Sequence, residues 1–180
     1  MSKENKIMVL IATYNEEESI EQVIKGVRKN LPEVDIVVVD GESSDATEEI
    51  ARKLETIVLK VPHSLGIAGG VETGFSFADL QGYDTVVRVD GDGQHNPDEI
   101  SRLMQPILDD RTDISIGSRY IGAGDYKGSL SRTLSAKLFA LVISAIIRQK
   151  ISDATSGFQA VNSRVIEFLS HNHSFDYSEV

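Results

Sequence analysis

Five short, mainly apolar runs separated by longer mixed segments constrain the fold more than any other feature of this sequence. The runs are Ile7 to Ala12, Val34 to Val39, Thr56 to Val61, Thr85 to Val89 and Asp113 to Ile116. Their apolar residues follow one another instead of alternating with polar ones, which is typical of strands buried on both faces of a parallel sheet. The runs therefore predict a mostly parallel sheet between two layers of helices.

Two segments between these runs carry apolar residues at helical spacing. The first has Ile20, Val23, Ile24, Val27 and Leu31 after a candidate N-cap at Asn15, and the second has Ile100, Leu103, Met104, Ile107 and Leu108 after Asn96 and Pro97. Asn followed by Pro at the first helical position is a common helix start. The alternation of strands and helices predicts an α/β domain with right-handed crossovers and helices on both faces of the sheet.

The length of the chain and its lack of cysteine limit the kinds of site that it can contain. A single domain of 180 residues buries about 70% of the surface of its unfolded chain, so it needs no disulfide or structural metal to fold. The absence of cysteine excludes thiolate catalysis and cysteine-ligated zinc or iron–sulfur sites. No apolar run is long enough to span a bilayer and the N-terminus lacks a secretory signal, so we expect a cytoplasmic protein.

The charge distribution divides the chain into an acidic and a basic part. The formal net charge of −10 disfavours a nucleic-acid partner, because such binding draws on many Lys and Arg side chains that face phosphates. Residues 1–100 hold 9 Lys and Arg against 20 Asp and Glu, whereas residues 101–180 hold 9 against 8. Within the second part, residues 119–150 are basic, with Asp125 as their one acidic residue.

Polar, loop-forming segments directly follow three of the predicted strands. They are Thr13 to Glu16, Asp40 to Asp45 and Asp90 to His95. The carboxyl ends of parallel strands meet at one edge of a sheet, where α/β proteins bind their ligands. We therefore expect these three segments to lie together and to form the functional site.

Asp90-Gly91-Asp92 is the sharpest chemical signal among these segments. Two carboxylates separated by one residue in extended chain point the same way, and such a pair suits Mg²⁺ or Mn²⁺ that is shared with a substrate phosphate. An EF-hand calcium loop is disfavoured because His95 and Ser101 stand where that loop needs Gly and Glu. The alternative is a turn whose aspartates only cap the following helix.

Six motifs occur in an order that resembles a known family. They are Thr-Tyr-Asn-Glu from Thr13, Val-Val-Asp-Gly-Glu-Ser-Ser-Asp-Ala-Thr from Val38, Leu-Gly-Ile-Ala-Gly-Gly-Val-Glu-Thr-Gly from Leu65, Asp-Gly-Asp-Gly-Gln-His from Asp90, Gly-Ser-Arg-Tyr from Gly117 and Thr-Ser-Gly-Phe from Thr155. The chain resembles the family 2 glycosyltransferases of GT-A fold, and is most similar to the small bacterial members related to dolichyl-phosphate mannose synthase. The resemblance runs from Ile7 to the last residue.

This resemblance implies a metal-dependent, inverting transfer of a sugar from a nucleotide-diphosphate donor. The acceptor that it implies is a polyprenyl phosphate or a cell-envelope glycan, as in bacterial polysaccharide biosynthesis. By motif position, the donor-binding residues are Thr13, Tyr14, Glu16, Asp40 and Asp90, and the metal ligands are Asp90, Asp92 and Gln94. Gly41 departs from the family, in which many members have a second Asp that faces the base, and this departure leaves the base open.

The resemblance gives catalytic roles to Asp92, Arg119 and Arg132. Asp92 acts through the metal and the diphosphate, and both arginines match phosphate-handling positions of the polyprenyl-phosphate branch. A phosphate acceptor is already nucleophilic, so it needs cationic holders more than a general base. An alcohol acceptor would need a base, for which Asp125, Asp153 and Glu179 are candidates. A surface role is an equal alternative for Arg132.

The basic part also contains an apolar helical pattern near residues 130–147, flanked by Lys137, Arg148 and Lys150. Such a helix can make peripheral contact with the inner face of the cell membrane. The alternative is that it packs in the core or against a second subunit of a homo-oligomer. We expect a single catalytic domain over 1–180, with a nucleotide-sugar and metal half over 1–118 and an acceptor-side half over 119–180 that is truncated at its C-terminus.

Two other functions compete with glycosyl transfer. A nucleotidyltransferase would need a Gly-rich loop with Lys or Arg near the first strand, and Thr13 to Glu16 supplies none. The second alternative is a non-catalytic module that binds a nucleotide or a metal such as calcium.

Overall fold

A computed structural model describes residues 5–118, 139–146 and 148–172 of the chain. Its strands are β1 (Ile7–Thr13), β2 (Asp35–Asp40), β3 (Ile57–Lys60), β4 (Thr85–Asp90), β5 (Ile114–Ile116) and β6 (Gln159–Asn162). Its helices are α1 (Ile20–Asn30), α2 (Thr47–Lys53), α3 (Gly66–Leu80), α4 (Ile100–Leu108), α5 (139–146) and α6 (Ser163–His171). Short 3₁₀ turns, His63–Leu65 and Pro97–Glu99, precede α3 and α4.

The six strands form one sheet in the order β3-β2-β1-β4-β6-β5. Strands β3, β2, β1 and β4 are parallel, and β6 is antiparallel to both β4 and β5. The predicted mostly parallel sheet is confirmed, and β6 is an addition that the apolar runs did not indicate. Because β6 reverses direction, β5 runs the same way as β4, and both strands end at the same edge of the sheet.

The core lies on both faces of the sheet, which explains the uninterrupted apolar runs. In β1, Val9 and Ile11 pack with residues of α1, α2 and α4, whereas Met8 and Leu10 pack on the opposite face with residues of α3 and α6. All four side chains are completely buried. Burying a side chain of this size contributes about 1.5–3 kcal/mol, so the central strand anchors both helical layers.

The two predicted helix starts have different outcomes. The side chain of Asn96 accepts a hydrogen bond from Asp98 N–H (3.1 Å) just before Pro97, as expected. The prediction that Asn15 caps α1 is wrong, because the helix begins five residues later, at Ile20. Asn15 has a positive φ of 54°, a conformation that Asn tolerates better than most residues, and its side chain is bonded to a neighbouring loop.

The predicted helix near 130–147 is described only over α5, at 139–146. Large apolar side chains of α5 are exposed, among them Leu141 at 67% and Ile146 at 71%. Residues 130–138 and 147 lie outside the described part of the chain. Among the described residues, no helix combines the length and the apolar character that crossing a membrane requires.

Two glycines on α3 give a test of this packing. A Cβ at Gly74 would overlap Leu10 Cδ1 in the core, whereas a Cβ at Gly70 would make ordinary contacts of 3.6 Å with Val39 and 3.9 Å with Val61. We expect Gly74→Ala to lower the free energy of unfolding by about 1–3 kcal/mol through overpacking. Gly70→Ala is the matched control and should raise it by up to about 1 kcal/mol through helix propensity. Chemical denaturation measures both, and equal effects of the two changes would contradict the packing described.

Candidate functional site

A cavity of about 420 Å³ opens at the carboxyl edge of the sheet, beside the N-terminus of α3. Five of the predicted site residues line it: Thr13, Tyr14, Glu16, Asp90 and Asp92. The rest of its lining comes from Ala12, Val39, Gly41, Val61, His63, Gly66, Ile67, Gly70, Arg88 and Gly91. The structure therefore brings together the ends of β1, β2 and β4, as the strand pattern predicts, and adds a wall from α3 and from Val61, the residue after β3.

Reciprocal hydrogen bonds join the loop after β1 to the loop after β2. Asn15 N–H donates to Ser43 Oγ (2.9 Å), and Ser44 N–H donates back to Asn15 Oδ1 (2.8 Å). Glu16 N–H donates to Thr47 Oγ1 (2.8 Å) at the start of α2. These bonds fix the backbone on which Tyr14 and Glu16 stand, so this wall of the cavity is formed before any ligand binds.

Asp45 strengthens the same junction. Its carboxylate accepts hydrogen bonds from Thr47 N–H (3.0 Å), the Thr47 hydroxyl (2.5 Å) and Glu17 N–H (3.1 Å). Desolvation raises the pKa of the Asp45 carboxyl, but the bonds from Thr47 and Glu17 outweigh it and leave the pKa below its ordinary value. The ionised carboxylate therefore stabilises the junction of the two loops.

Asp40 pairs with Thr13 across β1 and β2 but, unlike the other predicted donor-binding residues, it does not line the cavity. It is completely buried, and its carboxylate accepts hydrogen bonds from both the N–H (3.1 Å) and the hydroxyl of Ser43. The next residue, Gly41, lines the cavity instead, and its N–H donates to Thr13 O (3.0 Å). The structure thus places Asp40 under the loop that follows β2, where it shapes the loop that carries Gly41.

An aromatic pair forms one end of the cavity. The rings of Tyr14 and His63 stack with centroids 4.3 Å apart and an angle of 28° between their planes. The backbone N–H of His63 donates to Glu42 Oε2 (3.0 Å), which ties the 3₁₀ turn before α3 to the loop after β2. The sequence analysis did not identify His63, because the only signal it offered was one histidine in a loop.

The N-terminus of α3 faces the same cavity. Gly66, Ile67 and Gly70 line it, and Gly66 has a positive φ of 62°, which glycine adopts without strain. The first turn holds no acidic side chain, and no side-chain cap bonds its N–H groups. The positive end of a 15-residue helix favours an anion at this wall.

Asp90 is held from several sides. Arg88 Nη2 lies 3.1 Å from Asp90 Oδ1, and His95 Nε2 lies 3.7 Å from Oδ2. The Asp90 N–H donates to His95 Nδ1 (3.1 Å), so the second ring nitrogen carries the proton that faces the carboxylate. His95 in turn stacks on Phe158, with ring centroids 5.0 Å apart. These contacts leave the carboxylate little freedom to rotate.

Two glycines bring neighbouring chain segments close to this aspartate. A Cβ at Gly157 would lie 2.5 Å from Asp90 Oδ2, and a Cβ at Gly91 would lie 2.8 Å from Thr13 Oγ1. The hydroxyl of Ser19 donates to Gly91 O (2.7 Å) and so joins α1 to the loop after β4. The Thr-Ser-Gly-Phe motif is therefore part of the site, because its glycine lets the segment just before β6 approach Asp90.

Asp92 and Gln94 are both exposed. Asp92 Oδ1 accepts a hydrogen bond from the backbone N–H of Gln94 (2.9 Å), which sets the direction of the carboxylate. The Gln94 side chain is not among the groups that line the cavity. In the structure, Gln94 thus acts on Asp92 through its backbone.

The donor set at this edge fits a divalent metal shared with a ligand. Asp90 and Asp92 offer hard carboxylate oxygens at the rim of the cavity. No group of three or more His, Cys, Asp or Glu within 5–118, 139–146 and 148–172 is placed to hold a metal ion. Mg²⁺ and Mn²⁺ accept one or two carboxylates when substrate phosphates complete their coordination, which is what this pair can provide.

Among the candidate catalytic residues of the acceptor half, only Asp153 lies within the described residues. Asp153 is 1% exposed, and its carboxylate accepts hydrogen bonds from the N–H (3.2 Å) and hydroxyl (3.1 Å) of Thr155. It holds a loop and does not line the cavity. The other candidates, Arg119, Arg132, Asp125 and Glu179, lie outside the described residues.

Comparison with known proteins agrees with this architecture. The family model described as "Glycosyl transferase family 2" matches residues 8–169. The polyprenol monophosphomannose synthase of Mycolicibacterium smegmatis is 32% identical over 169 residues, which are 90% of this chain and 63% of that protein. The UDP-N-acetylglucosamine–dolichyl-phosphate N-acetylglucosaminyltransferase of Methanococcus voltae is 28% identical, over 91% of this chain and 72% of that protein.

Solved structures with the GT-A fold are similar as well. Glucosyl-3-phosphoglycerate synthase from Mycobacterium tuberculosis, crystallised with Mn²⁺, UDP-glucose and glycerol 3-phosphate, has a TM-score of 0.69 and 23% identity. The match covers 89% of this chain and 58% of that one. The chain thus spans less than two thirds of the length of both the Mycolicibacterium smegmatis relative and this solved structure, and the structural likeness confirms the GT-A fold expected from the motifs.

Proposed function

This chain belongs to glycosyl transferase family 2, and we propose that it transfers a sugar from a nucleotide-diphosphate donor to a polyprenyl phosphate. One observation carries the proposal: the aromatic end at Tyr14, the N-terminus of α3 and the carboxylates of Asp90 and Asp92 all line the same cavity. An elongated ligand with a base, a diphosphate and a sugar matches these three kinds of wall. Family membership also disfavours a nucleotidyltransferase.

The nucleoside would lie toward the end formed by Tyr14, Gly41 and His63. Tyr14 is 42% exposed and offers an aromatic face, which binds a base by stacking. A Cβ at Gly41 would make ordinary contacts of 3.6–3.8 Å with Thr13 and Tyr14, so Gly41 lies directly beside the Tyr14 ring. The buried Asp40 supports this end by holding the loop that carries Gly41.

The diphosphate would lie between the N-terminus of α3 and the two aspartates. Asp90 and Asp92 would hold Mg²⁺ or Mn²⁺ together with the phosphates. The Mycobacterium tuberculosis protein was crystallised with Mn²⁺ and UDP-glucose, which supports a divalent metal as part of the proposal. A divalent ion bound there neutralises charge that develops on the departing nucleotide diphosphate. The N–H groups at the first turn of α3 add fixed dipoles directed at the same charge.

The acceptor chemistry follows from the nature of a phosphate. One of its oxygens forms the new bond to the anomeric carbon while the bond from that carbon to the donor diphosphate breaks, and no proton has to be removed. The names of the mycobacterial and archaeal relatives support a polyprenyl or dolichyl phosphate. We assign Arg119 and Arg132 to hold that phosphate. The N–H of Gly117, two residues before Arg119, donates to Phe158 O (2.8 Å). Phe158 directly follows Gly157, which lies against Asp90.

Contact with a membrane surface belongs to the same proposal, because a polyprenyl chain resides in the bilayer. The exposed apolar side chains of α5, Leu141 and Ile146, lie next to the basic residues Arg148 and Lys150 in the sequence. This combination suits the interface of an anionic bilayer. We propose peripheral contact at this helix.

A transfer assay tests the proposed reaction. The chain is incubated with Mn²⁺, undecaprenyl phosphate and, in turn, radiolabelled UDP-glucose, UDP-N-acetylglucosamine and GDP-mannose. We expect label in the lipid phase from one of these donors and none when undecaprenol replaces its phosphate, because the phosphate oxygen is the nucleophile. Equal labelling of undecaprenol, or no lipid product from any donor, would contradict the proposal.

Removal of one carboxylate tests the donor site separately from the reaction. Asp92→Ala should lower the affinity for UDP or GDP in the presence of Mn²⁺ by at least about tenfold, since the diphosphate then loses its metal bridge. The melting temperature should stay the same, because Asp92 is exposed. Glu33→Ala, at the opposite edge of the sheet, removes the same charge and is the control. Unchanged Mn²⁺-dependent affinity of the Asp92 variant in calorimetry would remove Asp92 from the site.

A further inference from the structure

Arg88 occupies an unusual place for a charged residue. It lies inside β4, paired with Leu10 of β1 and Gln159 of β6, and two residues before Asp90 on the same face of the strand. Its side chain is 20% exposed and lines the cavity. Its Nε is buried without a hydrogen-bond partner among the described residues. Partial burial of a guanidinium in a strand lowers the free energy of unfolding. We therefore expect Arg88 to have a function that offsets this loss of stability.

The charges around the cavity show what Arg88 contributes. The described lining holds three carboxylates, on Glu16, Asp90 and Asp92, and among its Lys and Arg residues it holds only Arg88. The guanidinium is bonded to Asp90 Oδ1 at 3.1 Å. It therefore offsets part of the negative charge at the place where a diphosphate would have to bind.

Arg88 and a divalent ion place opposite demands on Asp90. Both are cations, and the carboxylate oxygen bonded to the guanidinium is less available to a metal. A guanidinium near the site also repels a metal ion and attracts a diphosphate, and in a partly buried site these effects are stronger than in water. A positively charged residue at this position should thus shift the affinities for metal and phosphate in opposite directions.

We propose that Arg88 is a positioning residue that acts as the resident cation of the cavity. It engages Asp90 before a ligand binds, weakens binding of a divalent ion by itself and strengthens binding of the diphosphate, so that metal and donor load together. This inference rests on the proposed function, in that the diphosphate belongs to the sugar donor. According to this inference, Arg88, which lies outside the Asp90-Gly91-Asp92 motif, controls how the divalent ion and the diphosphate bind at that motif.

The test measures the two ligands separately and needs no activity. Mn²⁺ alone is titrated into the 180-residue chain and free Mn²⁺ is followed by electron paramagnetic resonance, and inorganic pyrophosphate is titrated by calorimetry in EDTA. For Arg88→Gln we expect Mn²⁺ to bind about tenfold more tightly and pyrophosphate about tenfold more weakly than to the wild type. Arg88→Lys keeps the charge and should stay within about threefold of the wild type for both ligands.

Arg102→Gln is the matched control, because it removes the same charge from an exposed position on α4, where the side chain is 84% exposed. It should change neither affinity by more than about twofold.

Changes of the same sign for both ligands in Arg88→Gln, unchanged affinities, or equal effects of the Gln and Lys variants would overturn the proposal. If Arg88→Gln does not fold, the decision rests on Arg88→Lys, whose loss of pyrophosphate affinity beyond tenfold would overturn it. A wild type that binds neither Mn²⁺ nor a nucleotide diphosphate would instead refute the proposed function, and the role of Arg88 with it.

Discussion

Two aspartates end the buried strands of this sheet, and the site depends on the donors that hold them there. Asp40 ends β2 and is satisfied by the N–H and hydroxyl of Ser43. Asp90 ends β4 and is held by Arg88 and His95. A carboxylate at the end of a buried strand is costly without such partners. The two held aspartates do different work, because Asp40 shapes a loop while Asp90 faces the cavity.

The cavity follows from how closely the chain segments can approach these aspartates. Gly91 lets the loop after β4 lie against Thr13, and Gly157 lets the segment before β6 lie against the carboxylate of Asp90. The hydrogen bonds between Asn15, Ser43 and Ser44 fix the opposite wall. A rigid edge of this kind pre-organises positions for a ligand with several charges, and exposed Asp92 at the rim can engage an ion without rearranging the core.

Much of the fold could be predicted from the sequence, because strands buried on both faces leave an apolar run at each position. The strand β6 could not, since Gln159–Asn162 is short and mixed in character. The start of α1 could not be predicted either, since the side chain of Asn15 bonds Ser44, 29 residues further along the chain, and no local pattern reveals such a contact. The gathering of Thr13, Tyr14, Glu16, Asp90 and Asp92 was predictable from topology. Arg88 and His63 were not, because their roles depend on cross-strand and inter-loop contacts.

Hydrogen–deuterium exchange tests most directly the central claim that the carboxyl edge of the sheet binds a nucleotide diphosphate. The chain is compared alone and with Mn²⁺ and whichever of UDP and GDP raises its melting temperature. We expect slower exchange in peptides that cover 13–19, 41–47, 66–70 and 90–95, and unchanged exchange in 30–35 at the opposite edge of the sheet. Protection that avoids the first four segments, or that is strongest at 30–35, would contradict this account.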